Sequence, residues 1–236
     1  MSAVPALKLL ALVTAMVAEY VAYSSPNPPP RKEETESFKA GDVFRRASWI
    51  VPLSALMSSW VVHGCEVAIL LAQHASHSGV LGILLADPSS SSMFGVHPAF
   101  VLGFFLVLLG AALRKTCYDT LGRHFTFELA ILKEHKLVTW GPYAVVRHPS
   151  YTGMFSAILG MLFMAFAPGS WIALSGALET RAGKAVIAMW LAWMVAVVLG
   201  TLGRVRREDA VLKAEFGRQW DEWARKTPYA LVPYIY

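Results

Sequence analysis

Along most of this chain the apolar positions do not alternate with polar ones at a helical or strand period. They run on without interruption. Five stretches, at about 5–23, 49–73, 98–113, 151–167 and 185–203, are apolar all round over the length of a helix, as expected of segments bounded by lipid. They predict five membrane spans. The segment 150–178 is apolar throughout, but Pro168-Gly169 divides it. Residues 151–167 are therefore taken as the fourth span and 170–178 as a dipping or interfacial continuation, with a second short span as the competing arrangement. The first run, LKLLALVTAMVAEYVAY, has the short core of a signal peptide. It lacks a basic cluster at its amino end, and Glu19-Tyr20 fit a small-residue cleavage site poorly, so it is read as a retained span.

The polar positions fall between these runs. Residues 24–37, SSPNPPPRKEETES, combine a proline run with mixed charge and read as a linker, within a loop 24–48. DPSSSS at 87–92 is a turn-rich loop. Two longer polar pieces remain, a loop over 114–149 and a tail from 204. In the tail, Val205, Leu212, Phe216, Trp220 and Trp223 share one side of a helical wheel, which predicts an amphipathic helix on the membrane surface. Thr227-Pro228 breaks it, and the final ALVPYIY is expected to pack back onto the bundle.

Charge gives the pattern a direction. Five spans put eighteen of the 21 Lys and Arg residues on the side of loop 24–48, loop 114–149 and the tail, against Arg181 and Lys184 opposite. The rich side is cytoplasmic by the positive-inside rule, with the amino terminus outside. The formal charge of +5 then reflects topology and attraction to anionic lipid headgroups, and calls for no nucleic-acid partner. Apolar residues make up 56% of the chain and charged ones 16%, so no soluble domain is large enough to fold alone. Cys65 and Cys117 are too few for a disulfide framework or a zinc site, and no metal is expected. The last residues, PYIY, carry no CaaX box.

The densest chemistry lies at 141–153, GPYAVVRHPSYTG. Gly141-Pro142 makes a turn, and Pro149 disfavours helical geometry at His148 while suiting the first turn of the next span. Ser150 and its neighbours then lie at a helix amino terminus whose free N–H groups can receive an anion, with Arg147, His148 and Tyr151 as further donors. Ordinary interfacial anchoring is the plainer alternative for Tyr143 or Arg147 taken singly. In the tail, Arg204 and Glu208 are one helical turn apart and face together. Asp209 points into the apolar side, where a carboxylate needs a buried donor.

Residues 135–153, HKLVTWGPYAVVRHPSYTG, with 203–223, GRVRREDAVLKAEFGRQWDEW, resemble the isoprenylcysteine carboxyl methyltransferase family. The resemblance covers about 114–236. It implies an all-α integral membrane protein of about five transmembrane helices, in two regions. Residues 1–113 would form an N-terminal membrane region of three spans, and 114–236 a methyltransferase region with a cytosolic cofactor pocket built from the 114–149 loop and the C-terminal amphipathic helix. The implied activity is S-adenosylmethionine-dependent methylation of the terminal carboxylate of a prenylated cysteine, farnesyl or geranylgeranyl, at the endoplasmic reticulum. The matching cofactor positions are His135, Lys136, Leu137, Val138, Tyr143, His148, Pro149, Ser150, Tyr151 and Glu208. Arg204 matches a substrate-binding arginine, and Arg147 is a second candidate to orient the substrate carboxylate. His148 is expected to be a structural donor rather than a proton shuttle. Three departures stand out: Asp209 replaces the second acid of the usual Glu-Glu pair, Lys136 occupies a variable position at which only its backbone is expected to matter, and 168–184 is long for the family.

Other activities compete. A phospholipid N-methyltransferase would share cofactor and topology, but an amine nucleophile needs a base and an anionic site, and this face is rich in arginine. A sterol reductase would need a longer chain. A non-enzymatic scaffold or channel subunit would place charges inside the spans. The spans hold Glu19 and Glu66, with His63 and His74, and Glu66 is expected to pair with a histidine or to line a substrate entry.

Overall fold

The computed structural model of this chain describes residues 3–29, 50–75, 77–128 and 136–235. Among them are helices and turns and no strand, as an apolar solvent requires when backbone groups must be satisfied within their own segment. The helices are α1 (Ala3–Tyr23), α2 (Ile50–Ala75), α3 (Ser78–Leu84), α4 (Pro98–Leu121), α5 (Pro149–Ala165), α6 (Trp171–Leu174), α7 (Arg181–Phe216) and α8 (Arg218–Lys226). Short 3-10 turns occupy Pro88–Met93, Gly122–His124 and Gly141–Ala144. Helices α1, α2, α4 and α7 are long and apolar enough to cross a membrane, while α5 has 17 residues. At 1.5 Å per residue α5 reaches about 25 Å, at the short end for a hydrocarbon core of roughly 30 Å.

Three expected boundaries are corrected. Helix α4 continues to Leu121, so 114–121 is helix rather than loop. The apolar stripe simply carries on through Leu113, Cys117 and Leu121, at four-residue intervals. Helix α7 is 36 residues long, about 54 Å, so the last span and the start of the tail form one helix. The single tail helix over 205–223 is instead two pieces, because Gly217 adopts φ +49°, a left-handed backbone open to glycine at little cost. Val205, Leu212 and Phe216 lie on α7, whereas Trp220 and Trp223 lie on α8. Over 170–178 the only helix is α6, of four residues. A second span there is excluded by length.

The chain groups into two compact units, residues 1–20, 55–109 and 156–194, and residues 21–54, 110–155 and 195–236. Neither coincides with a division at 113/114. In the first unit, a Cβ built on Gly103 or on Gly160 would stand 2.5 Å from the other's carbonyl oxygen. The backbones of α4 and α5 touch there, the small-residue packing that serves where lipid is as apolar as leucine. Four ionisable side chains lie inside this unit, Lys8, Glu19, His63 and Glu66, each at most 1% exposed. Lys8 Nζ pairs with Glu66 Oε1 and donates to the Gly169 carbonyl at 2.6 Å. Glu66 Oε2 accepts the Trp171 N–H at 3.1 Å. The partner of Glu66 is therefore a lysine rather than a histidine, and the pair pins the turn before α6.

In the second unit the C-terminal strip packs back as expected. Ala230 and Leu231 are buried with Val205, against Tyr151, Phe155 and Leu202. Asn27 Nδ2 donates to the carbonyls of Gly122 and Phe125 at 2.7 and 2.9 Å, holding the start of the linker to the turn after α4. Residues 30–49 of the linker lie outside the described residues.

The Lys8–Glu66 pair yields a direct expectation. Lys8→Met leaves a buried carboxylate without its cation and is expected to cost about 3–5 kcal/mol. This is read as a lowered unfolding midpoint of the detergent-solubilised protein. Lys8→Met/Glu66→Leu recovers most of the loss, and a single variant as stable as wild type would refute the pairing.

Candidate functional site

The site grows from the turn that the sequence marks. Gly141, with φ +62°, starts the 3-10 turn and Pro142 follows it, and the turn swings Tyr143 inward. Tyr143 is buried with Cys117, Val138 and Trp223. The Trp223 Nε1–H donates to the Tyr143 carbonyl at 3.0 Å, which seats α8 on the turn. Burial pushes the Tyr143 phenol far above its usual range, so it remains a protonated donor, in contact with the Cys117 thiol.

The next two residues pair with the C-terminal strip. Arg147 N–H donates to the Tyr229 carbonyl at 3.0 Å and His148 N–H to Ala230 at 2.8 Å. The Thr152 hydroxyl donates to the Leu231 carbonyl at 2.7 Å. The Arg147 guanidinium meets Asp209 Oδ2 at 3.1 Å and donates to the carbonyls of Thr227 and Pro228. The His148 Nε2–H donates to Asp209 Oδ1 at 2.9 Å. Asp209 thus has the buried donors its position demanded. Burial by itself would raise this carboxyl. His148 and Arg147 outweigh that and hold it below the ordinary range, beyond the lipid-spanning part of α7.

Glu208, the neighbouring acid, does something different. The Tyr151 hydroxyl donates to Glu208 Oε2 at 2.7 Å and also interacts with Arg204. His148 stacks on Tyr151, with centroids 5.8 Å apart and planes 14° from parallel, and its Nδ1 lies 3.8 Å from Glu208 Oε2. Successive residues on α7 point in different directions, so one acid anchors the frame while the other faces a cavity.

That cavity lies within the second unit. Of the expected residues it is lined by Lys136, Leu137, Val138, Tyr143, Arg147, His148, Ser150, Tyr151, Arg204 and Glu208. Pro149 does not line it; it serves as the first residue of α5. His135 lies outside the described residues. Arg147 faces the cavity but spends its donors on Asp209 and two carbonyls; Arg204 lines the cavity beside Tyr151.

Sequence reasoning missed several walls. Arg114 is 4% exposed. Its Nη1 donates to both the carbonyl and the hydroxyl of Ser150 at 3.1 Å, and its Nε donates to Tyr118 Oη at 2.9 Å and to the Ala22 carbonyl. The signal was the apolar stripe through Leu113, Cys117 and Leu121, which shows that the helix, and Arg114 with it, continues inward. Val51 and Pro52, residues 124–128, Thr201 and Trp223 also line the cavity. Apart from Trp223, which closes the 203–223 motif, they had no motif to mark them and are brought in by tertiary packing alone.

Taken together, the cavity offers a carboxylate and a guanidinium one helical turn apart, phenol and hydroxyl groups, and apolar walls. Such a set suits a ligand carrying both charges. The class is thereby an all-helical integral membrane protein with a polar ligand cavity. Residues 101–214 match the model of the isoprenylcysteine carboxyl methyltransferase (ICMT) family. The chain is 34% identical over 135 residues to protein-S-isoprenylcysteine O-methyltransferase B of Arabidopsis thaliana, covering 56% of this chain and 58% of that protein. It is 30% identical over 138 residues to protein-S-isoprenylcysteine O-methyltransferase of Schizosaccharomyces pombe, covering 58% and 50%. The human protein-S-isoprenylcysteine O-methyltransferase is 40% identical over 70 residues, covering 29% of this chain and 25% of that one. The chain thus spans little more than half the length of these relatives at most.

The Asp209 junction predicts an acid-side effect. Because the folded carboxyl titrates below its ordinary value of 3.8, its contribution is fully present above that value and is lost as pH falls through the lowered one. Asp209→Asn is expected to reduce stability at pH 7 by roughly 1–3 kcal/mol, measured by thermal unfolding. It should also remove part of the wild-type stability loss below pH 3.8. An unchanged acid limb would sink the assignment.

Proposed function

We propose that this protein methylates the terminal carboxylate of a prenylated cysteine, farnesyl or geranylgeranyl, in processed CaaX proteins. S-adenosylmethionine is the donor, and the cytosolic face of the endoplasmic reticulum membrane is the place. The observation that supports this most is that Arg204, Glu208 and Tyr151, from two helices, meet in one cavity with the 136–138 segment and Ser150.

The donor set fits the cofactor: Glu208 suits an ammonium or ribose hydroxyls, and the start of α5 with Ser150 suits a carboxylate. When bound, S-adenosylmethionine supplies a methyl group on a sulfonium centre. The substrate carboxylate is already ionised at neutral pH, so no residue has to remove a proton. Arg204 orients it for in-line attack. Val138, Met154 and Leu212 line the same cavity, and their apolar surface strips water from the nucleophile. His148, bonded to Asp209, positions Tyr151 and Glu208 and needs no proton-transfer role. An amine nucleophile, as in phospholipid N-methylation, would require a base and an anionic site, whereas Arg114, Lys136, Arg147 and Arg204 make this lining rich in cations and the Nε2 of His148 is committed to Asp209.

The test is methyl transfer from labelled S-adenosylmethionine in membranes containing this protein, with N-acetyl-S-farnesylcysteine and phosphatidylethanolamine offered in parallel. Base-labile label on the farnesylcysteine is expected, and label confined to the lipid would overturn the proposal in favour of the amine reaction. Arg204→Ala should lower kcat/KM for farnesylcysteine about 100-fold or more while leaving cofactor binding within a few-fold. Glu208→Gln should weaken cofactor binding instead. Both variants acting on the same parameter would contradict the division of roles.

A further inference from the structure

The first unit holds a polar group that the proposed reaction does not use. Glu19 on α1 and His63 on α2 are 0% and 1% exposed, and His63 Nδ1 stands 3.4 Å from Glu19 Oε2. The two helices are packed at this level, since the Trp60 Nε1–H donates to the Met16 carbonyl at 3.1 Å and Tyr20 lies 6.4 Å from the Trp60 ring. Ser59, one helical turn before His63, is also fully buried, and neither its hydroxyl nor the carboxylate of Glu19 makes a hydrogen bond among the described residues.

The charged groups facing His63 can be counted. Glu19 comes from α1, and Glu66 comes from its own helix. Lys8 of α1 is already bound to Glu66. Two carboxylates against one ammonium leave an excess negative charge among side chains that are each at most 1% exposed. An uncompensated charge there costs several kcal/mol, and no further cation is present among the described residues facing this group. One proton would balance it. Of the two groups that could take that proton, imidazole is intrinsically the more basic.

We infer that Glu19 and His63 form an intramembrane proton-binding site, in which His63 is held as an imidazolium against the Glu19 carboxylate beside the Lys8–Glu66 pair. The four side chains are then neutral as a set. The bound proton becomes part of the packing of α1 on α2, and raising the pH removes it. The integrity of the first unit is therefore linked to pH on the alkaline side, in the opposite sense to the linkage at Asp209.

Two measurements on the full chain in detergent test this. In the protein labelled with 15N in its histidine rings, the His63 signal at pH 7 should show both ring nitrogens protonated. It is identified by its loss in His63→Gln or, should that variant not fold, by its displacement in Glu19→Gln. A bare nitrogen at pH 7 overturns the inference, whether the proton sits on Glu19 or is absent. In thermal unfolding, the wild-type midpoint should fall as the pH is raised and the imidazolium is lost. Glu19→Gln/His63→Gln, which carries no such proton, should lose that part of the pH dependence. A double variant with the wild-type profile would assign the dependence elsewhere and refute the site. Methyl transfer plays no part in either readout, so a failed reaction assay and a failed proton site remain distinguishable.

Discussion

Asp209 accepts from His148 at 2.9 Å and from Arg147 at 3.1 Å, and the rest of the candidate site depends on that junction. It fixes α7 against the entry to α5. Arg147 also holds the C-terminal strip, because its guanidinium reaches the carbonyls of Thr227 and Pro228 while the backbone beside it pairs with Tyr229 and Ala230. Each partner is less than one-fifth exposed in its side chain, where charge-assisted hydrogen bonds are worth more than their surface counterparts and cost more to lose. The shorter aspartate is compatible with this arrangement, since two donors approach it directly from one turn.

The anchor makes the cavity selective in what it presents. Asp209 and Arg147 neutralise one another, while Glu208 and Arg204, one helical turn apart, line the cavity together with Arg114, Glu128 and Lys136. Tyr151 lies between Glu208 and Arg204 and is itself steadied by stacking on His148. The geometry is one of preorganised binding groups, and alignment and dehydration are what the proposed displacement would ask of them.

Charge is handled the same way in the first unit. Lys8, Glu66, Glu19 and His63 lie among apolar helices and answer one another across α1 and α2. Polar groups at such depth are costly enough that each must be matched, and Lys8 is matched three times over, by Glu66, by the Gly169 carbonyl and by the rings of Phe94 and Phe100.

Much of this was legible in the sequence because bilayer and backbone act locally. Unbroken apolar runs become helices, Pro149 starts α5, and a carboxylate among apolar residues must find a donor; each inference needs only neighbouring residues. The motif around Arg147-His148 and the Arg204–Glu208 spacing also marked residues that line the cavity, and the family resemblance added Lys136, Leu137 and Val138 to them. What the tertiary structure alone decided is which distant groups meet. The partners Lys8 and Glu66 are 58 positions apart, and Arg114 reaches Ser150 across 36. The split of the tail at Gly217 was also hidden, because a helical wheel continues through any residue and does not register a left-handed turn. Local propensity and solvent set the elements, but the pairing of buried charges is a long-range electrostatic requirement, and only the packed chain shows which opposite charge satisfies it.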